Sequence, residues 1–196
     1  MTRLFSAPLI LASASPRRKE LLSQICPTFD VLPADIDESA LPGELPEAHV
    51  CRLAKQKALH IAKNHADALV LASDTIVVAQ GQILGKPIDD QDAARILGLL
   101  SGNEHQVMTA IAVACGSRCD VECITTNVWF RMLSPQDISD YWATGEPADK
   151  AGAYGIQGLG GRFVEKIHGS YSAVVGLPLV QTERLLQRVD QQIQKN

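Results

Sequence analysis

An aspartate interrupts a run that otherwise suits a buried strand. In Leu69-Val70-Leu71-Ala72-Ser73-Asp74-Thr75-Ile76-Val77-Val78 a carboxylate is costly unless cations, a metal or hydrogen-bond donors offset its burial. Asp74 therefore reads in one of two ways. It either ligates a magnesium ion or accepts a proton from an attacking water, two roles one carboxylate can share in part, or is a structural acid bonded to the amides of a neighbouring loop. Cations occupy apolar positions in two helical patterns. Arg18 precedes Leu21, Leu22 and Ile25 by three, four and seven residues, and Lys57 follows Val50 by seven and Leu53 by four. Each is rooted on a core-facing stripe, so it either snorkels to water or meets an anion. Lys86, in Leu84-Gly85-Lys86-Pro87, is a third candidate, with a solvated loop lysine as the alternative.

The segment around Arg18 is suited to phosphate. Leu9 to Ala12 is an apolar run of strand length, and Ser15-Pro16 supplies an N-cap residue followed by proline at the first helical position. The free amides of that first turn and the positive end of the helix dipole face the region of Arg18. With the hydroxyls of Ser13 and Ser15 and the guanidinium of Arg17 or Arg18, they compose an anion site. A plain capped helix whose arginines reach water is the alternative. Asp35, Asp37 and Glu38 stand in the acidic loop between residues 34 and 47 and offer a second metal ligand.

These residues need elements to position them. Periodicity predicts helices over about 49–63, 90–100 and 135–143, and a last one from Pro178 with Leu185, Leu186, Val189 and Ile193 inward. Strands are expected near 29–32, 69–79, 105–114, 120–131, 162–167 and 171–175, with a hairpin turn at Gly116-Ser117. Residues 144–161 are glycine-rich and read as a functional loop. Helix-separated strands mixed with hairpins predict an α/β or α+β domain with a mixed sheet.

Composition sets outer bounds. A chain of 196 residues with 46% hydrophobic and 20% charged residues fits one globular domain of one or two lobes, spanning 1–196. The formal charge of -4 gives no general attraction for nucleic acid. No run is long enough to cross a bilayer, and five cysteines without a CxxC pair read as reduced thiols, so a cytoplasmic location is expected. Cys115, Cys119 and Cys123 recur every fourth residue, but in a β-rich segment, and are read as small buried or edge thiols and not as metal ligands. A P-loop and a GxGxxG turn are absent. Asp35-Ile36-Asp37 faintly resembles an aspartyl-phosphatase pattern, against which Pro33 counts.

The chain resembles the Maf proteins, nucleoside triphosphate pyrophosphatases, over essentially its whole length. The resemblance rests on Leu11-Ala12-Ser13-Ala14-Ser15-Pro16-Arg17-Arg18, Arg52-Leu53-Ala54 with Lys57-Ala58, and Ser73-Asp74-Thr75-Ile76-Val77. It continues through Gly85-Lys86-Pro87, Ser101-Gly102 with His105 and Val107, and Gly145-Glu146-Pro147 to Gly176-Leu177-Pro178. It implies a two-lobed α/β fold of the Maf and ITPase-like kind with the active site in a central cleft, release of pyrophosphate dependent on Mg2+ or Mn2+, and a homodimer. It also implies that Ser13, Arg17 and Arg18 hold phosphates, Lys57 and Lys86 add positive charge, Asp74 is the catalytic acceptor, and Glu38 joins Asp74 on the metal. The segment 149–158 is similar to the form in enzymes acting on dTTP and UTP. There Gln157 has an amide that donates and accepts, as the imide edge of a pyrimidine requires, and Thr75 and Arg18 are also tied to specificity. Two other readings are a phosphomonoesterase using Asp35 and a regulatory protein, since the family has been associated with inhibition of septum formation.

Overall fold

The computed structural model describes residues 4–195. Among these, the strands are β1 (Leu9–Leu11), β2 (Asp30–Val31), β3 (Leu69–Ala79), β4 (Gln82–Leu84), β5 (Glu104–Cys115), β6 (Arg118–Phe130) and β7 (Val164–His168). The helices are α1 (Pro16–Ser23), α2 (Pro46–Ala62), α3 (Asp90–Leu100), α4 (Pro135–Ala143), α5 (Tyr171–Val175) and α6 (Leu179–Ile193). The seven strands form one sheet of order β2-β1-β3-β5-β6-β7, with β4 paired to β3. β1 runs parallel to β2 and β3, whereas β3/β4 and β6/β7 are antiparallel, so the α/β fold has the expected mixed sheet.

The chain divides into two compact units. Residues 4–74, 109–124 and 176–195 form the first, and residues 75–108 and 125–175 the second. In the first, Leu9-Ile10-Leu11 is buried throughout, as a short parallel strand covered on both faces must be. Ser15 caps α1, its Oγ accepting from the Arg18 amide, and Pro16 occupies the first turn where a missing N–H costs nothing. Leu22, Leu53, Ala54, Leu185, Leu186 and Val189 fill the core. In the second unit, α3 contributes Ala93, Ile96, Leu97 and Leu100 to a core shared with Phe130, Tyr141 and Phe163.

Four expectations change. The stretch Tyr171–Val175 is the helix α5, not a strand. Its valines suit either state, but Ser170 Oγ accepts from the Ala173 amide at 3.2 Å and flanking Gly169 and Gly176 take φ +135° and +126°, which ends extended chain on both sides. α1 stops at Ser23, so Ile25 lies beyond the helix. α2 begins at Pro46, three residues early, because proline and Glu47 suit a first turn. Residues 144–161 are not featureless: they carry 3-10 turns at Glu146–Asp149, Ala151–Ala153 and Leu159–Phe163, the last delaying β7 to Val164.

His105 lies inside the second unit's aromatic cluster. Its Nε2 is 2.8 Å from the Tyr154 hydroxyl, and its ring meets Phe130 edge-on at 4.9 Å. Burial pushes its pKa down to about 4. Because the folded pKa is below the unfolded value near 6.5, unfolding takes up a proton, and stability present above pH 6.5 is lost as pH falls toward 4. The loss reaches about 3 kcal/mol at the acid end. Chemical denaturation at pH 6.5 and pH 5, above the ordinary carboxylate range, will show this slope in the wild type and a flatter one in His105→Gln.

Candidate active site

The β1–α1 turn is ordered by its own hydroxyls. Ser13 is buried, and its Oγ accepts from the Ser15 amide at 3.2 Å and from Arg18 Nη1 at 3.4 Å. Arg18 is partly buried, and its Nε donates to the Gly176 carbonyl at 3.0 Å. That carbonyl also accepts from Ser73 Oγ at 2.9 Å, so one backbone oxygen ties the guanidinium to β3. Burial lowers the Arg18 pKa, the charge of Asp74 opposes that, and neighbouring Arg17 adds to it. An arginine stays protonated under such pressure, so Arg18 keeps its positive charge beside Asp74.

Lys57 and Asp74 form the centre of the site. Val50, Leu53 and Ala54 fix the buried face of α2, and Lys57, 7% exposed, lies on it as the spacing predicts. Its Nζ is 2.7 Å from Asp74 Oδ1 and 2.6 Å from Glu38 Oε1. The partner that offsets the burial of Asp74, also 7% exposed, is thus an ammonium. Glu38 approaches from the solvent side, its side chain 57% exposed.

A second carboxylate pair holds the loop that delivers Glu38. Arg52 grips Glu44 with two bonds, Nε to Oε1 at 2.6 Å and Nη2 to Oε2 at 2.7 Å, and Nη2 also donates to the Ser39 carbonyl at 3.0 Å. His49 Nδ1 lies 2.9 Å from Glu44 Oε2. The Arg52 guanidinium holds the Glu44 carboxyl far below its usual range, with His49 adding to the effect. Residue spacing gave neither Arg52 nor Glu44 a role. Arg52 carried the better signal, since it stands on α2 five residues before Lys57.

Ser13, Arg18, Glu38, Lys57 and Asp74 therefore belong to one network in the first unit, beside Arg17. Thr75 follows Asp74 along β3 and is half-buried, Lys86 is exposed after β4, and Gln157 is exposed between two 3-10 turns; these three lie in the second unit. Asp35 is exposed. The described residues contain no cluster of three or more His, Cys, Asp or Glu placed to hold a metal ion. Glu38 and Asp74 supply two hard oxygens around one cation position. That donor set fits Mg2+ or Mn2+, which bind through one or two carboxylates and complete their shell with water and substrate phosphate. The thiols do not compete: burial raises Cys115 and pushes Cys119 up to about 11 and Cys123 up to about 12, keeping them protonated.

Comparison with known proteins places the chain in a family. Residues 8–189 match the family described as Maf-like protein. A dTTP/UTP pyrophosphatase of Pseudoalteromonas atlantica is 55% identical over 188 residues, covering 92% of this chain and 96% of the relative. The dTTP/UTP pyrophosphatase of Vibrio cholerae is 52% identical, with 92% and 97% covered, and that of Pseudoalteromonas translucida 56%, with 90% and 94% covered. On a match that spans nearly the whole sequence and includes every residue of the Lys57 network, the chain belongs to the Maf-like protein family.

Proposed function

We propose that this protein hydrolyses dTTP and UTP, and by extension modified pyrimidine triphosphates, to the nucleoside monophosphate and pyrophosphate. The observation that carries the proposal is the buried Asp74 carboxylate, paired with Lys57 at 2.7 Å and within the field of Arg18. Relatives at 50–56% identity bearing the name dTTP/UTP pyrophosphatase support the substrate.

Water attacks the α phosphorus in line, the bond from that phosphorus to the bridging oxygen breaks, and pyrophosphate leaves with the bond's electrons. Asp74 orients the water and takes its proton. The β1–α1 amides, Ser13, Arg17 and Arg18 hold phosphate oxygens, and Lys57 and Lys86 neutralise the charge that grows on the leaving group. Lys57 also donates to Asp74 Oδ1 at 2.7 Å, which fixes the orientation of the carboxylate. Glu38 and Asp74 would hold the divalent ion, which when bound lowers the pKa of water and adds positive charge. Gln157 presents its amide to the imide edge of uracil or thymine, with Thr75 and Arg18 contributing to selectivity.

The same proposal places a homodimer in the cytoplasm. Its five cysteines are free, and no helix among the described residues is long and apolar enough to cross a membrane.

Asp74→Asn, assayed by pyrophosphate release from UTP, is expected to lose about 10²–10⁴-fold in turnover while nucleotide binding by calorimetry changes little. A near-wild-type rate would remove Asp74 from the chemistry, and release of orthophosphate would point to Asp35 instead. Chelating divalent ions should stop turnover. Glu38→Gln should raise the metal concentration for half-maximal rate by at least the roughly tenfold that loss of even an outer-shell partner costs a metal site.

A further inference from the structure

Outside the Lys57 network, one carboxylate of the second unit is bonded far more completely than a surface acid needs to be. Glu146 follows α4, whose end is closed by Gly145 at φ +75°, its amide donating to the Trp142 carbonyl at 2.9 Å. Oε1 of Glu146 accepts from the Tyr141 hydroxyl at 2.7 Å and the Gly160 amide at 3.1 Å. Oε2 accepts from the Leu159 amide at 2.9 Å. Tyr141, fully buried, also accepts from the Gly155 amide at 3.1 Å.

These bonds close on both sides of one residue. Gly155 is held through Tyr141, Leu159 and Gly160 are held by the carboxylate, and Gln157 lies between them at an exposed position. Packing shows how tight the closure is. A Cβ at Gly158 would run into the Glu146 carboxylate, and one at Gly160 would come within 2.5 Å of the Tyr141 hydroxyl and 2.9 Å of the Gly155 carbonyl. His105 fixes the residue just before this segment through its bond to Tyr154. Backbone amides alone would leave residues 155–160 free to sample several turns; a charge-assisted acceptor selects one.

We propose that Glu146, acting with Tyr141, is a positioning residue for Gln157: it holds the backbone of residues 155–160 in the form that aims the Gln157 amide for pyrimidine recognition. The inference rests on the assignment of Gln157 to the base, and it deepens that assignment by naming what orients the amide. Glu146 touches neither substrate nor metal in this scheme. Its loss misdirects a hydrogen-bonding group and leaves the Asp74 chemistry in place.

The test is steady-state pyrophosphate release from UTP, dTTP, CTP and GTP by the wild type, Gln157→Ala, Glu146→Ala, Tyr141→Phe and the Glu146→Ala/Gln157→Ala double variant. Glu146→Ala is expected to raise KM for UTP and dTTP by about tenfold and to narrow their preference over CTP and GTP, with kcat changed much less. In the Gln157→Ala background, removing Glu146 should add less than about twofold, because both changes act on one interaction. Tyr141→Phe should move selectivity in the same direction. Circular dichroism and melting curves establish folding, and if Glu146→Ala fails to fold, Glu146→Gln, whose amide opposes the Leu159 N–H, carries the comparison. The proposal is overturned if Gln157→Ala narrows selectivity while Glu146 and Tyr141 variants keep it, or if the Glu146 effect persists undiminished without Gln157. Unaltered selectivity in Gln157→Ala removes the base assignment itself, a separate result read from that variant alone.

Discussion

The buried ion pair between Lys57 and Asp74 constrains the first unit more than any other contact. A carboxylate in the middle of β3 and an ammonium on the buried face of α2 are each costly alone, and at 2.7 Å each makes the other tolerable. The pair settles the rotation of α2 against the sheet, because turning the helix by one position would bury Lys57 against apolar chain or strand Asp74. Similar volumes of leucine would pack there with equal or greater stability. A fold that keeps the charges instead holds a carboxylate and a cation in a partly dehydrated place, where the proposed hydrolysis of a polyanion would use both.

Other parts of that unit are arranged around the pair. Arg18 is turned by the Gly176 carbonyl and Ser13, so its fork is oriented before any ligand arrives. Glu38 sits on a loop that would otherwise wander, and the Arg52–Glu44 grip, with Arg52 reaching the Ser39 carbonyl, fastens the loop to the helix that bears Lys57. The second unit uses the same device with different groups: Glu146 gathers two amides of a glycine-rich stretch and the Tyr141 hydroxyl of α4, and gives the stretch one shape. In both, a carboxylate makes a loop into a fixed support.

Elements with dense local signals were legible. β3, α3 and α4 begin and end where the residue pattern places them, because a long apolar run, an acidic first turn behind Asp89, and the Ser134–Asp137 capping box all act within a few residues. The Tyr171–Val175 stretch is ambiguous in sequence because its valines are compatible with strand and helix, and the choice falls to Ser170 and two positive-φ glycines. The 3-10 turns between 146 and 163 escaped for a related reason: glycine permits many shapes, and the one adopted depends on Glu146 and Tyr141.

From the sequence alone came the conflicts that mark the site: an aspartate in a strand, an arginine and a lysine on apolar stripes, and a capped turn with free amides. Such conflicts are visible because burial is written in periodicity, and a charge that breaks the period must be compensated somewhere. Which group compensates it was decided only by tertiary structure. Arg18 meets a carbonyl 158 residues away, and Lys57 chose Asp74 and Glu38 among many acids, since partners are selected by three-dimensional distance that no spacing along the chain encodes.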